Sequence, residues 1–237
     1  MTVIGAILAG GVGKRVGGNM PKQFLLIQNV PVIIHTLKIF LTIPDFDLIY
    51  IVIHQSWRKY LIGLLQQYHI SIERLRVIDG GEERINSIEN LVDAISNSDN
   101  YDYNDIIVIH EAVRPFVHPE ILINSIHATE KYGAVVAAVP ATDTMLFVDE
   151  GGEVSSIPDR AKLYHGQAPD SFKVGLLKSA LDSLSPNEKK IITGTAQICL
   201  LHGIPIHTIK GDVLNFKITT LSDLKIAEAI MQNRVCL

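Results

Sequence analysis

Three cations, Lys14, Arg15 and Lys22, stand close together behind a run of glycines, Gly10-Gly11-Val12-Gly13. The glycines follow directly on an apolar stretch, Val3 to Leu8, and the chain continues into Pro21-Lys22-Gln23-Phe24-Leu25. A glycine, lacking Cβ, lets its backbone N–H come close to an anion, and neighbouring N–H groups form a concavity for phosphate oxygens. Cations beside such a loop would neutralise a polyphosphate, so the chemistry on offer is the binding of a nucleoside triphosphate. Two familiar phosphate loops do not match. A G-x-G-x-x-G dinucleotide loop counted from Gly11 meets Val16 where its third glycine belongs. A loop ending in Gly-Lys-Ser/Thr fails because Gly13-Lys14 is followed by Arg15. An NAD(P)-dependent oxidoreductase therefore has only the glycine-rich turn in its favour.

Further polar blocks follow in order. They are Gly80-Gly81-Glu82-Glu83-Arg84-Ile85-Asn86-Ser87, then His110-Glu111-Ala112-Val113-Arg114-Pro115-Phe116, then Asp143-Thr144-Met145. Arg160 comes next, with Tyr164-His165-Gly166-Gln167-Ala168-Pro169, and last Asn215-Phe216-Lys217-Ile218-Thr219-Thr220. Together with the opening loop, these blocks resemble the signature of the cytidylyltransferases that couple CTP to a sugar-alcohol phosphate. That family includes the methylerythritol-phosphate and ribitol-phosphate enzymes, and the resemblance runs through nearly the whole chain.

The resemblance implies attack by a phosphate oxygen of the acceptor on the α-phosphorus of CTP, with pyrophosphate expelled and Mg2+ assisting. Such transfers depend on alignment and on stabilising spread negative charge. Arg15 and Lys22 match the positions that stabilise the transition state and leaving group, and Lys14 reads as a solvated neighbour. Leu8, Ala9, Gly10 and Gly11, with Gly80, Gly81, Glu82, Glu83, Ser87 and Ala112, match the nucleotide site. Arg84 either joins that site or braces its loop. Arg160 and Lys217 match the positions that hold the acceptor phosphate, with Thr144 a weaker candidate. Lys217 sits in an apolar, β-like segment, where a lone lysine is costly unless it faces a cleft or solvent. Glu111 matches a Mg2+ ligand that is usually aspartate, and Gly194 stands where relatives often carry an acid. These departures leave room for a weakened, CTP-binding homologue. His110 reads as structural, and Arg114, before Pro115, as a residue that fixes its loop.

For the acceptor, the run Tyr164 to Phe172, Ile157-Pro158 with Arg160, and Ile209-Lys210-Gly211 look closer to the ribitol-phosphate enzymes. This implies D-ribitol 5-phosphate and CDP-ribitol for a teichoic-acid-like or capsular polymer. The alternative is 2-C-methyl-D-erythritol 4-phosphate, for isoprenoid synthesis.

These residues need a scaffold. Hydrophobic residues make up 47% of the 237 residues, ample for a core, and the net charge of −4 argues against a nucleic-acid partner. Cys199 and Cys236 have neither metal-ligand nor redox spacing, and no apolar stretch is long enough to span a bilayer. A soluble, cytoplasmic protein is expected. Short apolar runs at Val3–Leu8, Leu48–Ile53, Leu75–Ile78, Ile106–Ile109 and Ala134–Val139 read as buried strands. Helical spacing appears over Pro31–Phe40, Ile85–Ile95, Pro119–Lys131 and Leu221–Met231. This alternation predicts an α/β fold with a doubly wound, mostly parallel, Rossmann-like sheet, in a single nucleotidyltransferase domain over residues 1–237. Within it, Thr144–Val148 and Val154–Ile157 flank the turn Asp149-Glu150-Gly151-Gly152 and read as a β-hairpin. The resemblance implies that this arm, about residues 141–162, embraces a second subunit in a homodimer.

Overall fold

The computed structural model describes residues 1–11 and 20–234. From the N-terminus, β1 (Val3–Ala9) precedes a short antiparallel pair, β2 (Leu26–Ile27) and β3 (Val30–Pro31), and helix α1 (Val32–Leu41). Then come β4 (Leu48–Ile53), α2 (Gln55–Gln67), β5 (Leu75–Asp79), α3 (Arg84–Ser96), β6 (Ile106–Glu111), α4 (Pro119–Tyr132) and β7 (Ala134–Pro140). The second half holds the hairpin β8 (Phe147–Val148) and β9 (Val154–Ser156), followed by the long β10 (Tyr164–Lys173). Helices α5 (Val174–Asp182), α6 (Pro186–Ile191) and α7 (Thr195–Leu201), strand β11 (His207–Lys210) and helix α8 (Leu221–Arg234) complete the chain.

Among the described residues, the main sheet has seven strands in the order β11-β7-β10-β6-β1-β4-β5. All its pairings are parallel except those of β10, which runs antiparallel between β6 and β7. The chain winds from β1 outward through β4 and β5, then crosses to β6 on the other side. In open α/β sheets, such a reversal opens a crevice at the carboxyl ends of the strands.

The period-2 alternation of the strands divides the core between two faces. On one face, Ile7, Phe40, Phe46, Ile51 and Val108 pack with α1, α2 and α4. On the other, Ile4, Ala6, Val52, Ile107 and Ile109 pack with α3, α5 and α7. The same alternation carries past Ile109. His110 turns toward Phe40, their rings 5.6 Å apart, and Glu111 turns toward the start of α3.

The sheet matches the doubly wound expectation, and the five apolar runs all lie in it. Two details differ from the sequence reading. The segment around Lys217 is not a strand but irregular chain between β11 and α8. The hairpin is shorter than its apolar runs, which stay exposed at Met145, Leu146, Phe147, Val148, Val154 and Ile157.

Candidate active site

Four segments converge at the carboxyl end of the sheet around a cleft of about 560 Å3. The first is the end of β1 with the glycines after it. The Gln23 side chain, buried beneath them, donates from Nε2 to the carbonyls of Ala9 (2.6 Å) and Gly11 (3.1 Å). Gln23 thereby fixes the backbone of Ala9 and Gly11. Its neighbour Lys22 reaches the cleft and donates from Nζ to the Thr219 carbonyl at 3.3 Å. Phe24 anchors this short turn in an aromatic group, 5.3 Å from Trp57 and 4.9 Å from Tyr60.

The second segment joins β5 to α3. Here Ser87 Oγ accepts from Gly81 N–H (3.1 Å) and donates to the Glu83 carbonyl (3.2 Å). A Cβ on Gly81 would collide with Asn86, so the loop closes this tightly only with glycine there. Glu83 and Asn86 cap the helix reciprocally. Ser87 thus shapes the wall it also lines.

The third segment is the end of β6. Glu111, with its side chain 9% exposed, is the hub of an ion cluster. Its Oε1 accepts from Arg84 Nη1 at 2.6 Å and from Lys217 Nζ at 2.8 Å, while Oε2 accepts from Arg114 Nε at 2.8 Å. Burial disfavours the charged carboxylate, but Lys217, Arg84 and Arg114 outweigh it and hold the carboxyl well below the usual range. Arg114 also donates from Nη1 to the Asn215 carbonyl at 2.7 Å, so it does fix its loop. His110 is fully buried and pushed down to about 4, chiefly by burial. It is neutral, and its Nε2 pairs with the Arg114 carbonyl at 3.1 Å. The structural reading of His110 is the one that fits.

The fourth segment is the irregular strap from Gly211 to Thr220. It brings Lys217 and Thr219 to the cleft, and Ile218 N–H ties it to the Val113 carbonyl at 2.9 Å. Lys217 therefore faces a cleft and an anion rather than apolar surroundings.

Of the residues expected at the site, Leu8, Ala9, Gly10, Gly11, Lys22, Gly81, Glu82, Glu83, Arg84, Ser87, Glu111, Ala112 and Lys217 line this one cleft. Gly80 lies just behind it, where a Cβ would sit 2.9 Å from Ser87 Oγ. Arg84 pairs with Glu111 and also lines the cleft, a placement compatible with either of its two readings. Arg15 falls outside the described residues. Arg160 does not line the cleft: it sits on the arm and donates from Nη1 to the Thr142 carbonyl at 2.8 Å. Gln23, Val113 and Thr219 line the cleft without having been expected there. Gln23 had a visible signal, an amide next to Lys22 in the motif, whereas Val113 and Thr219 contribute mainly through position.

Behind the cluster, Asp170 of β10 pairs in register with Ile109 and so shares the face of Glu111. Burial pushes its carboxyl up to about 6, with Arg84 opposing the shift.

The profile of the 2-C-methyl-D-erythritol 4-phosphate cytidylyltransferases matches residues 3–233 of this chain. Among solved structures, the Francisella tularensis 2-C-methyl-D-erythritol 4-phosphate cytidylyltransferase has a TM-score of 0.80 and 28% identity, covering 97% of this chain and 99% of its own. A 4-diphosphocytidyl-2C-methyl-D-erythritol synthase gives a TM-score of 0.80 at 26% identity, over 97% of this chain and 99% of its own. The corresponding synthase of Anaerococcus prevotii DSM 20548 has the same fold, with a TM-score of 0.80 at 22% identity, over 98% of this chain and 96% of its own.

Proposed function

The chain belongs to the 2-C-methyl-D-erythritol 4-phosphate cytidylyltransferase family, and from that premise we propose that it transfers CMP from CTP to 2-C-methyl-D-erythritol 4-phosphate. Membership makes it a CTP-dependent nucleotidyltransferase, and the acceptor is the proposed step. The observation that carries the reading is the cleft itself, where Lys22, Arg84 and Lys217 meet beside a glycine-lined wall. Among the described residues, a Cβ at Gly11 would meet no atom within 4 Å, and one at Gly10 only ordinary contact with Ser87. Packing among the described residues does not demand glycine at either position, which supports a ligand lying against that backbone.

In this reading the cytidine lies along Leu8–Gly11 and Gly81–Ser87, with its phosphates toward Lys22. Lys217 holds the acceptor phosphate, whose oxygen forms a bond to the α-phosphorus as the bond to pyrophosphate breaks. The attacking phosphate is already anionic, so no side chain has to remove a proton, and neutral His110 has no such task. Lys22 and Arg84 offset the charge that develops on the leaving group and the equatorial oxygens. Arg15 is assigned to the same role by resemblance alone.

Among the described residues no three ligating side chains form a metal cluster. Mg2+ commonly binds through one or two carboxylates and completes its shell with phosphate oxygens and water. Glu111 suits that mode, because among the described residues its Oε2 carries a single hydrogen bond. When bound, the ion would screen the triphosphate and polarise the α-phosphate.

The exposed apolar residues of the arm support a homodimer, since a lone two-stranded hairpin is marginal in water. In that assembly, Thr144 and Arg160 reach the partner's acceptor site. A reducing, cytoplasmic setting is supported by the spacing of the cysteines and by the buried thiol of Cys199. No helix among the described residues is long and apolar enough to cross a membrane.

The run Tyr164–Phe172 favours a second acceptor, D-ribitol 5-phosphate, with CDP-ribitol destined for a surface polymer. The deciding experiment is pyrophosphate release from CTP and Mg2+ with each acceptor at equal concentration. Turnover with methylerythritol phosphate is the expected result. Turnover with ribitol phosphate alone moves the protein to the second reading. CTP binding without turnover of either acceptor identifies a weakened homologue.

A further inference from the structure

We propose that the Gln167 carboxamide is a positioning residue that sets Lys217 in the cleft. The proposal rests on the role given to Lys217 above. The strap from Gly211 to Thr220 has no regular secondary structure, so its backbone groups must find partners one by one. At its start a single side chain supplies two of them. Gln167 Nε2 donates to the Asp212 carbonyl at 2.8 Å, and Gln167 Oε1 accepts from the Asp212 N–H at 3.2 Å. The residue before is glycine, and a Cβ at Gly211 would collide with Gln167 Oε1. The clasp and the glycine are therefore one device, the small residue making room for the amide.

The clasped peptide begins a turn. The Asp212 carbonyl also accepts from Asn215 N–H at 2.9 Å, and the Asp212 carboxylate caps Leu214 N–H at 2.8 Å. Asn215 is fully buried and donates from Nδ2 to the Ala168 carbonyl at 2.6 Å, next to Gln167 on the same strand. The turn thus fixes where Phe216 and Lys217 stand relative to β10. Lys217 Nζ then meets Glu111 at 2.8 Å. A displacement of about 1 Å at such a group can lower a rate by about 10²-fold. Gln167 lies outside the cleft lining, so its effect on catalysis passes through the strap.

The test uses the full-length protein carrying Gln167→Met, which keeps the side-chain volume and removes the amide, and Gln167→Ala as a second variant. Each is made alone and with Lys217→Ala. Acceptor kcat/KM should fall about tenfold in Gln167→Met, and the double variant should match Lys217→Ala alone. An undiminished activity in Gln167→Met, or a full tenfold loss that persists beside Lys217→Ala, overturns the proposal. A second readout needs no substrate. With trace acetic anhydride and mass spectrometry, Lys217 should label several-fold faster in Gln167→Met while Lys178 does not change. Unchanged Lys217 labelling overturns the proposal. If the wild-type protein turns over neither alditol phosphate, the functional reading fails and the labelling experiment still decides on Gln167.

Discussion

Glu111 is one methylene longer than an aspartate, and that length is put to use. Its two oxygens reach three cations from three segments, Arg84 on α3, Arg114 on the following loop and Lys217 on the strap. Removing one partner of such a cluster leaves the others charged and half-buried. Glu111→Gln should destabilise the fold by about 3–5 kcal/mol, read by urea denaturation, and lower turnover by at least about 10²-fold. Asp170 shows the opposite economy. Its carboxyl, pushed up to about 6 by burial, lies above the unfolded value of about 3.9. Its favourable contribution is complete below the unfolded value and is lost as pH rises through the folded one. Asp170→Asn should therefore be the more stable protein at about pH 7.5, by about 3 kcal/mol, with the gain gone below about pH 4. Urea melts of both proteins at the two pH values check this.

Helix α8 anchors the far end of the strap. Asp223 Oδ2 accepts from Thr219 N–H (2.7 Å), Thr219 Oγ (2.6 Å) and Thr220 N–H (2.8 Å). Thr219 in turn offers its carbonyl to Lys22. Asp223→Ala should cost about 1–2 kcal/mol, a drop in Tm of about 2–8 °C, and should raise KM for CTP, as melting curves and steady-state kinetics will show. The elements differ in how far the sequence disclosed them. Strands such as Leu48–Ile53 are buried on both faces, so they read as uninterrupted apolar runs. Helix α3 shows Ile88, Leu91, Val92 and Ile95 on one side. Helix α2 buries only Leu61, Leu64 and Leu65, too narrow a stripe to stand out. Strand β10 begins with exposed Tyr164, His165 and Gly166 and contains Pro169, so its composition reads as loop. The strap around Lys217 has apolar neighbours yet earns its shape from side chains far away in sequence, Gln167 and Arg114, and periodicity does not register such ties. The cleft was legible because its residues sit in local motifs at the ends of predictable strands.

At the scale of the molecule, the arm is the part without enough of its own chain to pack on. Phe147 is 59% exposed and Val148 is 53% exposed, and a partner subunit would cover both. Phe147→Glu should convert the proposed dimer to monomer in sedimentation equilibrium and lower acceptor turnover with it. A different consequence follows from where β10 lies. Strands β6 and β7 are close in sequence but not neighbours, because β10 separates them and binds both. During synthesis the first half of the sheet can assemble as it leaves the ribosome, but the gap between these two strands stays open until Tyr164–Lys173 has been made. A nascent chain therefore carries two bare strand edges through that interval, in a form suited to pairing with another chain. The molecule's greatest exposure to misassembly comes before its cleft exists, and the last central strand to be synthesised closes it.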